Sequence, residues 1–351
     1  MDHIADLLRI FGYSALAFVI TMLLMPAFIN FLTKNKLGKQ IREETVDGRQ
    51  ATIFQQLHGK KKGTPTMGGL LVWGCVAVLV LLSGVLNYVG IIPDSWSVLD
   101  RGETYVPLFT LIVTGLLGAI DDYYNIRGIG TKKGIGAKPK FFWLTIFGLL
   151  GAWWFYSKLG IDQIHIPAIG DFFVGFWYIP LFAFVINASS NAVNVTDGLD
   201  GLAGGLLIMA FGGFGVLAFM KGLVVLTAFC GMLIGALTAF LWYNIPPARF
   251  FMGDTGSLSF GATLGVIAMM TNSVFMLPII GFVFVVETSS SLIQIISKRF
   301  WNRKVFAITP LHHLCEHWGW PEHTVTMRFW IIGGVSAVLG VIIGLLGLGL
   351  R

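Results

Sequence analysis

The chain alternates long apolar runs with short polar segments, and the runs are longer than the core helices of a soluble domain require. A helix that crosses the ~30 Å hydrocarbon core of a bilayer needs about 20 mostly apolar residues. Ten runs fit that description, near residues 10–32, 68–90, 105–121, 141–157, 172–190, 201–220, 222–243, 256–272, 275–298 and 328–350. The pattern predicts an all-α integral membrane protein of about ten transmembrane helices, folded as one polytopic domain over 1–351. The eighth run is short and glycine-rich. The ninth contains the polar stretch Glu287 to Ser291, ETSSS. A charge at that depth is costly unless it is paired or near water, so a kink or break is expected there, setting Glu287 against protein or the interface. No small-residue cleavage site follows a short apolar stretch near the N-terminus, and the first run is read as a span.

Composition supports this class. Hydrophobic residues make up 55% and charged residues only 12%, about half of the roughly 25% typical of soluble domains. Mean hydropathy is +0.77. The 44 glycines suit helices that approach closely in lipid, where no hydrophobic force drives them together. The three cysteines are odd in number and scattered, so no disulfide framework is implied.

The net charge of +6 would point to nucleic acid in a soluble domain, but here it reports topology. Ten spans place segments 33–67, 122–140, 191–200, 244–255 and 299–327 on one side. With the bordering Lys298 and Arg328, these hold 19 of the 24 lysines and arginines. The other side holds only Arg9, Arg101, Lys158, Lys221 and Arg351. By the positive-inside rule the richer side is cytoplasmic and both termini face outward. No nucleic-acid partner is needed to account for the charge.

The polar clusters gather on that same side. Asp121 and Asp122 close the third run in AIDDYYN, where a helix C-terminus disfavours carboxylates. A solvated helix end is the plain alternative, but adjacent acids at a membrane surface fit a base or a cation site better. Asp254 in GDTGS precedes the eighth run as a natural N-cap, and capping does not exclude an oxygen ligand for Mg²⁺ beside a phosphate. In SSNAVNVTDGLDGL, turn and cap roles suffice for Asp197 and Asp200. They leave Asn191 and Asn194 as donors and acceptors of the kind that read a base or sugar edge.

His312, His313, Cys315, His317 and His323 lack zinc-ligand pairing, and adjacent histidines facing phosphate oxygens fit better. The segment GIGTKKGIGAKPK matches neither common phosphate-loop pattern. A secondary transporter also fits ten spans, but no repeated halves are visible and most acids lie at span ends on one face.

Taken together, KKGTPTMGG (61–69), DDYYN (121–125), SNAVNVTDGLDGL (190–202), FFMGDTGSL (250–258) and TPLHH (309–313) resemble, in order and over most of the chain, the phospho-N-acetylmuramoyl-pentapeptide transferases. Members usually carry three consecutive histidines; here the third position is Leu314. The alternative within the same chemistry is a polyprenyl-phosphate GlcNAc-1-phosphate transferase. The resemblance implies transfer of a phospho-muramyl peptide from its UDP donor, UDP-MurNAc-pentapeptide, to undecaprenyl phosphate, giving lipid I and UMP at the cytoplasmic face of a bacterial plasma membrane. It implies Mg²⁺ held chiefly by Asp254, a catalytic pair in Asp121 and Asp122, and His312 and His313 at the diphosphate and sugar end. It further implies a uridine pocket lined by Asn194, Asp197 and Asp200, with Asn191 in the same loop, Phe251 stacking on the base, and Asn244 and Gln294 nearby. Lys61 or Lys62, and Lys138, would meet phosphates. It is also compatible with a homodimer.

Overall fold

The computed structural model describes residues 2–38, 61, 63–129 and 134–349, without the side chains of residues 2, 3, 348 and 349. Lys62 and most of the 33–67 segment lie outside the described residues. Each predicted run contains helix: α1 (Asp2–Lys34), α2 (Gly69–Tyr88), α3 (Tyr105–Arg127), α4 (Ala137–Trp154), α5 (Tyr178–Thr196), α6 (Leu202–Met220), α7 (Val224–Asn244) and α8 (Asp254–Met270). Then come a short α9 (Leu277–Ile280), α10 (Phe282–Trp301), a short α11 (Leu311–His317) and α12 (Glu322–Gly349).

Seven of these helices are long and apolar enough to cross a membrane, or eight if a bent pair counts as one span. Two of the ten predicted runs fall short for different reasons. In α4 the first turn carries Lys138 and Lys140, which belong at an aqueous boundary. The 17-residue α8 is buried from Thr255 through Met269, so protein encloses it and lipid length does not constrain it.

The all-helical expectation also meets an exception. Gln163–Ile166 and Gly170–Phe173 pair as an antiparallel hairpin, with Gln163 opposite Phe173 and Ile166 opposite Gly170. The hairpin takes the start of the fifth predicted run, and α5 begins only at Tyr178.

Helix α8 is the organising element: it packs on α2, α3 and α5, while α7 packs on α1 and α6. Glycine makes these contacts close. A Cβ on Gly69 would stand 2.1 Å from the Gly256 α-carbon, and one on Gly118 would stand 2.2 Å from the Asp254 carbonyl oxygen. Without a hydrophobic drive in lipid, such backbone approach supplies the packing. It also fixes Asp254 beside the acids of α3.

The segment Val274–Ile280 meets Phe282–Trp301 at 81°. The bend sits at Gly281, six residues before Glu287, and not at the ETSSS stretch. Glu287 instead lies inside a continuous α10, fully buried.

Candidate active site

The two aspartates of α3 do not end their helix. It runs on to Arg127 and stops at Gly128, which is left-handed at φ 67°. Both carboxylates are buried and diverge in use. Asp122 accepts the backbone N–H groups of Asp254 at 3.1 Å and Thr255 at 3.0 Å. Asp121 accepts the Ile135 N–H at 2.6 Å on Oδ1 and the Lys140 ammonium at 3.0 Å on Oδ2.

Asp254 was expected to cap α8. The cap position belongs to Gly253, at φ 75°, and Asp122 satisfies the open amides of the first turn from another helix. A Cβ at Gly253 would stand 2.4 Å from Asp122 Oδ2 and 2.9 Å from Thr66 Oγ1, so only glycine admits this approach. The Asp254 carboxylate is thereby freed. Its Oδ2 accepts Lys140 Nζ at 2.7 Å, and its Oδ1 accepts Asn194 Nδ2 at 2.9 Å; Asn194 also donates to Ser257 Oγ at 2.8 Å. Burial alone would raise the Asp254 carboxyl, but the Lys140 ammonium and the hydrogen bonds from its neighbours outweigh it and hold the group below the usual carboxylate range. Two carboxylates, Asp121 and Asp254, thus share the one Lys140 ammonium, while Asp122 is turned to the backbone of α8.

Lys140 is the site residue that sequence reasoning missed. Lys138, the lysine the family resemblance implies, is exposed. Two residues apart on a helix lie on nearly opposite faces, so only one of the two lysines can meet Asp121. The glycine-rich segment before α4, uninformative as a motif, contributes the Ile135 amide to Asp121.

A second cluster surrounds the turn after α5. Asp200 does not cap α6, whose cap position is Gly201. Its carboxylate accepts Lys61 Nζ at 2.6 Å and the Ala248 N–H at 2.9 Å, and its backbone N–H donates to Glu322 Oε1 at 2.8 Å. Lys61 also pairs with Glu322 and lies 5.9 Å from the Phe251 ring centroid. Asp197 follows α5 and is half-buried, its N–H donating to the Val193 carbonyl at 3.0 Å. Asn244 braces this cluster from beneath: Oδ1 accepts the Gly201 N–H at 3.0 Å and Nδ2 donates to the Phe250 carbonyl at 2.8 Å.

The third cluster carries the histidines. His312 meets Glu287, and His313 Nδ1 lies 2.8 Å from Glu316 Oε2. The two rings stand edge to face at 4.1 Å. Gln294 is buried and spends its amide on the backbone of Val305 and Phe306, fixing the strand of chain that leads to the histidines. Leu314, in place of a third histidine, is buried.

The structure thus brings Asp121, Asp122, Asp254 and Asn194 together, with Lys61, Asp197, Asp200 and Phe251 around the adjoining turn and the histidines beyond it. Asn191 stays apart: it is exposed and returns Nδ2 to the Asn187 carbonyl of its own helix at 2.8 Å. Among the described residues, no three His, Cys, Asp or Glu side chains form a closed metal cage.

Residues 104–272 match the profile of Glycosyl transferase family 4, which places the chain among the transferases. The match covers α3 through α8, the elements that carry the first cluster. Over nearly its whole length the chain is similar to curated phospho-N-acetylmuramoyl-pentapeptide-transferases. It is 39% identical to that of Chloroflexus aggregans and 38% identical to that of Chloroflexus aurantiacus, in each case over 98% of this chain and 91% of the relative. It is 38% identical to that of a Geobacillus species over 93% of this chain and 95% of the relative. The chain belongs to the phospho-N-acetylmuramoyl-pentapeptide transferase family.

Proposed function

We propose that the protein transfers phospho-N-acetylmuramoyl-pentapeptide from its UDP donor to undecaprenyl phosphate, releasing UMP and forming lipid I, a membrane step of peptidoglycan synthesis. The observation that carries this reading is the convergence of Asp121, Asp254, Asn194 and Lys140 at one point, within a chain of this family. The excess of lysine and arginine over the same segments supports a site on the cytoplasmic face of a bacterial plasma membrane, ten spans and outward termini.

The donor set fits Mg²⁺. This ion favours oxygen ligands and is commonly held by one or two carboxylates together with substrate phosphates, so a closed protein cage is not required. Asp254 would hold it, with Asp121 as the second carboxylate, and when bound it would neutralise charge on the donor diphosphate. Asn194 fixes the Asp254 carboxylate from the opposite oxygen. Lys140 tracks the negative charge that develops as the bond to UMP breaks.

A phosphate monoester has its second pKa near ~6, so the lipid phosphate is already mostly a dianion at neutral pH. It attacks the β-phosphorus directly, with Asp121 positioning it or taking a residual proton. Asp122 holds the first turn of α8 and acts through Asp254. Asp197, Asp200 and Phe251 face the uridine side, with Lys61 between them and the phosphates.

UMP release from UDP-MurNAc-pentapeptide and from UDP-GlcNAc, each with undecaprenyl phosphate and Mg²⁺, tests the reading. Turnover of the first donor is expected; turnover of the second alone overturns it. A phospho-sugar trapped on the enzyme in the absence of lipid would rule out the direct route.

A further inference from the structure

Glu287 on α10 and His312 on α11 are both fully buried. Glu287 Oε1 accepts the His312 backbone N–H at 3.1 Å, and Oε2 lies 3.0 Å from the ring Nδ1. Among the described residues the only ion-pair partner of this carboxylate is His312. The other ring nitrogen, Nε2, is buried with no hydrogen-bond partner among the described residues. It faces Gly198, where an added Cβ would stand 2.3 Å away. Gly198 belongs to the turn that carries Asp197 and Asp200.

A buried carboxylate without a countercharge is costly, so the dyad is stable when it is neutral as a unit. Two neutral arrangements keep a hydrogen bond between Oε2 and Nδ1 without leaving the acid proton unpaired. Glu287 is ionised beside an imidazolium, or Glu287 as the carboxylic acid donates to Nδ1 of a neutral ring. Both leave a proton on Nε2. Buried polar hydrogens are normally paired, and one left open inside a transferase site marks a place for a ligand acceptor.

We propose that Glu287 is a positioning residue that holds the His312 Nε2–H as a donor for an oxygen of the donor substrate's diphosphate, beside the 197–200 turn. The assignment of that oxygen rests on the proposed function. Only a glycine at 198 leaves space at this ring nitrogen, since any Cβ there would stand 2.3 Å from it.

The test uses the full-length enzyme with three variants: Glu287→Leu, Glu287→Gln and His312→Gln. A glutamine can accept the His312 backbone N–H and donate to Nδ1, which keeps the proton on Nε2; a leucine can do neither. Loss of a hydrogen bond to a charged group corresponds to about 10- to 100-fold, so Glu287→Leu is expected to lower kcat by that factor and to lower the melting temperature as the buried His312 N–H loses its acceptor. Glu287→Gln is expected to recover a large part of the loss.

The ¹⁵N spectrum of histidine-labelled enzyme, with the His312 signals assigned by their disappearance in His312→Gln, is expected to show Nε2 protonated. A lone-pair Nε2 signal in the wild type overturns the proposal, and so does wild-type kcat in Glu287→Leu. The spectrum decides even where Glu287→Leu does not fold. A wild-type enzyme that releases no UMP from the muramyl donor would instead count against the proposed function, leaving the protonation result to stand by itself.

Discussion

Asp122 accepts the backbone N–H of Asp254 at 3.1 Å, so one member of the aspartate pair is committed to holding the helix that carries the other cluster acid. The neighbouring Asp121 faces Lys140 and the Ile135 amide. Adjacent in sequence, the two acids do different work.

Their variants should separate accordingly. Asp122→Ala leaves the first amides of α8 open and is expected to cost about 1–2 kcal/mol of stability, by analogy with a lost helix cap, with turnover falling as Asp254 is displaced. Asp121→Asn is expected to keep the melting temperature and lose turnover. Thermal denaturation beside UMP release distinguishes the two; an equal loss of stability in both would contradict the division.

Lys140 bridges Asp121 and Asp254, while Lys138 lies on the exposed face of α4. Removing a donor aimed at developing charge costs about 10²–10³ in kcat, the fall expected for Lys140→Met. Lys138→Met is expected to stay within about threefold of the wild type, as surface substitutions usually do. Steady-state kinetics on the two single variants checks the choice.

Chelation should abolish turnover, and Mg²⁺ should restore it. Asn194 fixes the Asp254 carboxylate from its second oxygen, and groups in that supporting position are worth about 10- to 100-fold in metal affinity. The Mg²⁺ concentration giving half-maximal activity in Asn194→Ala is expected to rise by that factor. An unchanged Mg²⁺ dependence would remove Asn194 from the metal's support.

Much of this arrangement is legible in the sequence. The apolar runs located the helices, because period and length survive in a single sequence, and the acids of the site were singled out as chemistry-bearing. What pattern could not supply was pairing between distant segments. Nothing local says that Asp122 caps α8, that Lys140 rather than Lys138 meets the acids, or that Asn244 and Gln294 spend their amides inside the protein. Helix α10 runs unbroken through Glu287 because that carboxylate, disruptive in isolation, has a partner 25 residues away. The hairpin at 163–173 escaped because its phenylalanines, Phe172 and Phe173, read as the start of a span.

Sidedness can be checked in cells. Cys75, Cys230 and Cys315 are buried, so replacing them and adding a single cysteine at each terminus gives clean labelling sites. Both termini are expected to react with a membrane-impermeant maleimide from outside the cytoplasm, and a cysteine at Lys138 only after permeabilisation. A terminus protected until permeabilisation would change the span count by one.

The most direct measurement follows the β-phosphorus. With UDP-MurNAc-pentapeptide labelled at the β-phosphate, undecaprenyl phosphate and Mg²⁺, the label is expected to move into the lipid fraction with one UMP released per label transferred. Asp254→Ala is expected to transfer none. Label remaining in the aqueous phase as UDP, or full transfer by Asp254→Ala, would contradict phospho-sugar transfer at this site.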